Sequence, residues 1–150
     1  MYSIVTTSIV CGIESILIQV EADISEGLPV FEMVGFLSAE VKEAKERVRT
    51  ALKNSGYLLP AKRITINLSP ANIRKSGTGF DLAIAVAVLT ALGVVSERDL
   101  EHTLIVGELG LNGRIQPIDG ILPMIAEAKE RGILRIWQII RKKHYFQNPV

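Results

Sequence analysis

The stretch Lys75-Ser76-Gly77-Thr78-Gly79 is where this sequence comes nearest to a chemical site. Glycines, hydroxyls and a base in close succession resemble a loop that cradles phosphate. Such a loop needs its lysine directly after the glycines, so that the ammonium reaches the outer phosphates. Here Lys75 precedes them, and the chain contains no Gly-Lys pair. Nucleotide binding by this loop is therefore not expected. A weaker anion site stays open, because free N–H groups at a helix start attract negative charge and Arg74 and Lys75 would add to it. The plainer reading is a loop that uses glycine to turn sharply into the next helix.

Nucleophilic chemistry fares no better. Ser76 beside Lys75 is a conceivable Ser–Lys pair, but adjacent side chains in an extended loop point opposite ways. Ser69, next to Pro70, is the other hydroxyl candidate. No histidine is placed to serve either as base, and an unactivated hydroxyl is a weak nucleophile. His102 and His144 lie far apart and beside no carboxylate cluster, so both read as surface residues. Glu40/Glu43 and Glu127/Glu130 are helical i,i+3 pairs of the kind any solvated helix face carries. The single cysteine, Cys11, excludes an intrachain disulfide and a Cys-built zinc site, and fits a reducing cytoplasm. The residues thus point to no catalytic group, no metal and no cofactor of the chain's own.

The elements that position these residues are legible in outline. Residues 2–34 are rich in Ile and Val with partial alternation, which reads as two or three strands, antiparallel, with turns at Gly12 and Ser25-Glu26-Gly27. Ser38 is an N-cap for a helix over 40–53, where Val41, Ala44, Val48, Ala51 and Leu52 recur at helical spacing. Its opposite face is densely charged, with Glu43 and Arg47 as an i,i+4 pair. Ile64, Ile66 and Leu68 alternate with Arg63, Thr65 and Asn67, the pattern of a strand with one buried face. Asp81 is placed to cap an apolar helix from Leu82 to Leu92, with Gly93 at its end. Leu104-Ile105-Val106 is a short buried strand, and Asn112-Gly113 signals a two-residue hairpin. A last helix runs from about Gly120 to Arg131, capped by Gly132. The sum is an α+β domain with one mixed sheet and about three helices.

Composition bounds the class. The chain has 150 residues, 48% hydrophobic and 22% charged, with no low-complexity tract, which fits one folded domain rather than a disordered chain. The longest apolar stretch, 82–95, is 14 residues, short of the roughly 17–25 that span a bilayer. The N-terminus lacks the basic and continuous apolar regions of a signal peptide, so the expected location is the cytoplasm, with no membrane contact. The net charge of +1 conceals an asymmetry. After residue 133 there are four bases and no acid, leaving 13 bases and 16 acids before it. That tail also holds Trp137, Tyr145 and Phe146, and a basic patch with interleaved aromatics is a footprint of nucleic-acid binding; the plainer reading is an exposed end.

Several stretches in order resemble one family: Val34-Gly35-Phe36, the helix from Glu40 to Arg49, Asn54-Ser55-Gly56, Arg63 to Ala71, Phe80 to Ala85, Gly107-Glu108-Leu109 and Gly120 to Met124. They look like the N-terminal domain of the ComM/YifB proteins, magnesium-chelatase-like AAA+ ATPases, and the resemblance covers roughly 1–133. It implies the Lon-protease-type α+β fold shared with a ribosomal-protein domain and GHMP kinases. Residues 134–150 depart from the family, which continues through a strand and a linker into the ATPase. A shifted reading frame, a truncated gene and an unusual natural terminus all stay open for that segment, although Leu134 to Ile140 could still supply the strand.

The resemblance also implies where a protease dyad would stand. Lining up the apolar helix puts Gly79 in the place of the Lon serine and Leu122 in the place of the Lon lysine. Glycine offers no nucleophile and leucine accepts no proton, so a degenerate protease site is expected. A one-residue gap would bring Thr78 to the serine position, still without a base; a residual hydrolase would have to use Ser76 or Thr78. By the same resemblance ATP and Mg belong to a separate AAA+ module absent from these residues, and the partners are further copies in a hexameric ring and single-stranded or branched DNA. The function implied is a non-catalytic accessory domain in DNA uptake and recombination. If it touches DNA, Lys62, Arg63, Arg74 and Lys75 are the residues expected on phosphates. The alternatives are a solvated edge for those four and a pure assembly module acting through the charged face of helix 40–53.

Overall fold

The computed structural model describes residues 1–137. Strands β1 (Tyr2–Cys11) and β2 (Glu14–Ser25) form a long antiparallel hairpin that alternates buried and open residues over 2–6 and 18–25, while Thr7, Ser8 and Ile9 are all buried. β3 (Val30–Val34) follows, then one helical turn α1 (Ala39–Lys42) and the main helix α2 (Ala44–Asn54). β4 (Arg63–Ser69), the apolar helix α3 (Asp81–Ala91), β5 (Thr103–Ile105), the short pair β6 (Glu108–Leu109) and β7 (Ile115–Gln116), α4 (Ile121–Glu130) and β8 (Arg135–Trp137) follow within the described residues. The sheet order is β3-β4-β2-β1-β5-β8, with antiparallel and parallel neighbours, so the α+β class with one mixed sheet is as expected.

One face of the sheet carries α2 and α3. Helix α3 is buried along almost its whole length because β1 and β2 lie beneath it and α2 and β6 flank it, which is what an all-round apolar helix requires. Ser3 Oγ donates to the Ala87 carbonyl at 2.6 Å and ties α3 to β1. On the other face α4 covers only one end, where Leu104, Val106, Met124 and Ala128 form a second, smaller core. α2, α3 and α4 end alike. The N–H groups of Gly56, Gly93 and Gly132 turn back to the last turn, and those of Tyr57, Val94 and Ile133 reach the carbonyls five residues earlier, the paired bonds of a Schellman motif.

Four expectations need correction. β3 is not antiparallel: it crosses over to the sheet edge and runs parallel to β4. The helix expected over 40–53 breaks at Glu43, so Ser38 caps only α1, accepting from Val41 N at 3.3 Å. Asp81 does not cap α3. It is the helix's first residue, fully buried and engaged elsewhere, and Phe80 occupies the cap position. The Asn112-Gly113 turn is longer than two residues; Gly110 N–H bonds the Arg114 carbonyl and Gly113 takes a left-handed φ of 85°, which closes a three-residue loop. The strand left open for Leu134 to Ile140 is present, as β8 pairs in parallel with β5 from Arg135 to Trp137. The basic residues Arg141, Lys142 and Lys143, with His144, Tyr145 and Phe146, lie outside the described residues.

Candidate functional site

The loop between β4 and α3 is pinned at its centre. Lys75 is fully buried, and its Nζ donates to the carbonyls of Gly35 and Pro70. Its backbone N–H bonds the Phe36 carbonyl at 3.0 Å, and its carbonyl accepts from Ser38 at 2.9 Å. Two positions on, Gly77 N–H donates to Glu40 Oε1 at 2.6 Å. Burial pushes the Lys75 ammonium below its ordinary pKa. The lysine expected on phosphate is therefore directed inward while Ser76 is exposed, and the two side chains point apart as adjacent residues of an extended loop do. A desolvated ammonium held by two carbonyls is not offered to phosphate, and that expectation is corrected.

From Lys75 the loop continues along a cleft of about 390 Å³ at the start of α3. Ser8, Ile9 and Val10 of β1 form one wall, Ser76 to Phe80 another, and Glu108, Pro117, Ile118, Asp119 and Met124 close it. Thr78 Oγ1 donates to Glu108 Oε2 at 2.6 Å, so that hydroxyl is already engaged. Gly79 lies in the wall, and a Cβ built there would stand 3.3 Å from Ile118 Cδ1. Leu122 is 75% exposed on α4 and is not part of the lining. Ser69 ends β4 opposite Gln19, before the cis peptide bond to Pro70, away from this lining.

At the start of α3 sits a network that sequence reading missed. Arg47 Nε and a terminal guanidinium nitrogen donate to the two Asp81 carboxylate oxygens at 2.7 and 3.0 Å, and Leu109 N–H adds a third bond at 3.1 Å. Burial pushes the Asp81 carboxyl above its ordinary value against the opposing pull of Arg47 and the Leu109 amide; the hydrogen bond to Asp81 in turn raises Arg47. The expected Glu43–Arg47 pair is present, but at 3.8 Å with an exposed glutamate. A polar residue at the head of an apolar helix was the one visible signal, and it reads equally well as a cap.

The other basic candidates are at the surface. Lys62 pairs with Glu26 at 2.7 Å and Arg63 with Glu32 at 2.6 Å. Arg74 is exposed and takes part in none of the ion pairs among the described residues. Strand register puts Arg63 on the open sheet face shared by Tyr2, Ile4, Glu21, Asp23 and Glu32, so acids surround the expected phosphate contact. His102 is exposed, at a left-handed φ of 54°. Among the described residues no helix is long and apolar enough to cross a membrane.

Comparison with known proteins gives a consistent set of similarities. The family model described as subunit ChlI of Mg-chelatase matches residues 20–139. YifB of Escherichia coli is 45% identical over 130 residues, which is 87% of this chain and 26% of that protein. The competence protein ComM of Haemophilus influenzae is 40% identical over 119 residues, 79% of this chain and 23% of its own length. Lon protease 2 of Bacillus subtilis is 30% identical over 96 residues, 63% of this chain and 17% of that protease. The chain thus spans about a quarter of the length of the YifB and ComM relatives it matches.

Proposed function

Because the chain belongs to the ComM/YifB family of Mg-chelatase-like proteins, we propose that it serves as a non-catalytic accessory domain of a cytoplasmic AAA+ ATPase, one that acts in DNA uptake and recombination. The observation that carries this reading is the orientation of Lys75. It is the amine adjacent in sequence to the hydroxyls of Ser76 and Thr78, and its Nζ is spent on the Gly35 and Pro70 carbonyls. An ammonium held this way takes no proton from a serine or threonine, and without a base those hydroxyls stay weak nucleophiles. Gly79 and Leu122 are then the vacated places of a protease dyad.

Between the two accessory roles, assembly is better supported than direct DNA contact. Phosphate binding relies on free lysine and arginine charge. Lys75 is buried, Lys62 and Arg63 each face a glutamate, and only Arg74 remains free among the four residues expected there.

One set of measurements tests the proposal. A fluorophosphonate probe should leave the chain unlabelled, and labelling at Ser76 or Thr78 would overturn the non-catalytic reading. Sedimentation over rising concentration should give a mass that grows beyond 16.4 kDa. A strict monomer counts against assembly. Salt-dependent anisotropy with branched and single-stranded DNA decides the second role, since binding lost in Arg63→Ala or Arg74→Ala would favour DNA contact.

A further inference from the structure

The free positive charge that β4 lacks lies on the helical layer instead. Lys42, Lys45, Arg49 and Lys53 recur at steps of three, four and four residues, which makes them one stripe along α1 and α2. At 1.5 Å per residue the stripe is about 16 Å long. Lys42, Arg49 and Lys53 are exposed and Lys45 is half-buried, and none of the four belongs to an ion pair among the described residues. The other flank of α2 is balanced, because Glu43 faces Arg47 and Arg47 faces Asp81.

A helix face that only meets water is ordinarily laced with charges of alternating sign. Here Lys45, Arg49 and Lys53 are like-charged i,i+4 neighbours, which repel one another. Lys45 also stands in the first turn of α2, the end of a helix dipole that favours acids. Both arrangements work against the helix, and a polyanion laid along the stripe relieves both.

The surface beside the stripe says which polyanion. Arg49 is shared by two adjoining clefts of about 340 and 250 Å³. Lys53 edges the first and Lys62 the second, and Glu46 is the single acid in either lining. Leu59 is common to both, with Leu58, 78% exposed, in the first and Pro60 in the second. Single strands bind where a positive groove tracks the backbone and apolar side chains take the faces of the bases. A duplex keeps those faces stacked inside, and an acidic peptide has none to offer.

We propose that this flank of α1 and α2, with the clefts beside it, binds single-stranded nucleic acid through its phosphates and independently of sequence. Of the four bases expected on phosphate only Lys62 borders this surface, and it is paired with Glu26. Binding here is independent of the assembly role proposed above.

The test is fluorescence anisotropy of the full chain with oligothymidylate and oligouridylate, a hairpin duplex, and oligoglutamate of equal charge. Binding to at least one single strand is expected, weakening with salt, and the first two arms tell DNA from RNA. The duplex and oligoglutamate should bind more weakly. Lys45→Gln/Arg49→Gln should weaken single-strand binding about tenfold at low salt and lower the slope of log affinity against log salt by about 1.4, two phosphate contacts' worth. The same variant should keep or raise the urea midpoint, because it removes like-charged neighbours. Arg98→Gln/Lys129→Gln takes equal charge from exposed positions elsewhere and should leave the slope unchanged. No binding to either single strand, equal affinity for the duplex or for oligoglutamate, or a slope indifferent to Lys45→Gln/Arg49→Gln would overturn the proposal.

Discussion

Arg47 and Asp81 lie 34 positions apart, and the guanidinium of the first closes on the fully buried carboxylate of the second through two hydrogen bonds. The pair joins α2 to the start of α3, and the Leu109 amide brings in β6. Removing one partner leaves an uncompensated charge in the interior, which typically costs about 3–5 kcal/mol. Arg47→Ala and Asp81→Ala are each expected to lose about that much in urea unfolding. The double variant Arg47→Met/Asp81→Leu should recover most of the loss, because apolar replacement of both members removes the stranded charge. Additive losses in the double variant would show that the two residues act independently.

Lys75 predicts a pH dependence with a definite sign. Burial holds its folded pKa below the ordinary 10.5. Between the folded value and 10.5 the unfolded chain binds the extra proton, so the stability contributed by this residue rises as pH rises through that window. The neutral amine still donates to Gly35 and Pro70, so the clamp survives deprotonation. Lys75→Met abolishes the slope and leaves two carbonyls without their donor, at about 1–3 kcal/mol each. Urea midpoints of both proteins from about pH 7 to about pH 10 should therefore diverge with rising pH. A constant or narrowing gap would mean that the ammonium is not desolvated.

These two residues also mark what the sequence could not disclose. Helix α3 was legible because fourteen nearly unbroken apolar residues need no periodicity to be buried. β4 was legible from strict alternation and α2 from its 3.6-residue stripe. Lys75 reads as a surface charge, since lysine is almost never fully buried, and only the crossover of β3 to the sheet edge brings Gly35 within its reach. Arg47 reads as the partner of Glu43 because i,i+4 neighbours are visible in one dimension, whereas a partner 34 residues away is not. Gly107-Glu108-Leu109 was legible as one of the stretches that resemble the family, but the pairing of Glu108 with Thr78 depends on how β6 docks against α3.

The close approach of β3 to β4 gives a steric prediction. Gly35 has a φ of 121°, and a Cβ there would fall 2.2 Å from the Leu68 carbonyl oxygen. Backbone cannot yield as a side-chain tip does, so Gly35→Ala should cost about 3 kcal/mol or more and loosen the Lys75 clamp. Gly12 also has a positive φ, 66°, yet among the described residues nothing lies within 4 Å of its Cβ position. Gly12→Ala should therefore cost only the conformational term of about 1–2 kcal/mol. Thermal unfolding of the pair separates the contact from the dihedral; equal losses would count against the close approach.

Gly79 is the position where restoring a side chain is permitted. Its φ is outside the left-handed region, and among the described residues a new Cβ would meet only the Ile118 methyls, the nearer at 3.3 Å. Those are the ends of a flexible side chain, so Gly79→Ser should fold with a loss of about 1 kcal/mol or less. The new hydroxyl would still lack a base, because the Lys75 amine is bonded to Gly35 and Pro70. Adding Leu122→Lys should not supply one, since Leu122 is 75% exposed and an amine there stays hydrated and protonated. Neither variant is therefore expected to react with a fluorophosphonate. Labelling of the Gly79→Ser single variant would reveal a base within the cleft and remove the ground for a non-catalytic domain. Labelling of the double variant alone would mean that the α4 surface turns inward far enough to complete a dyad.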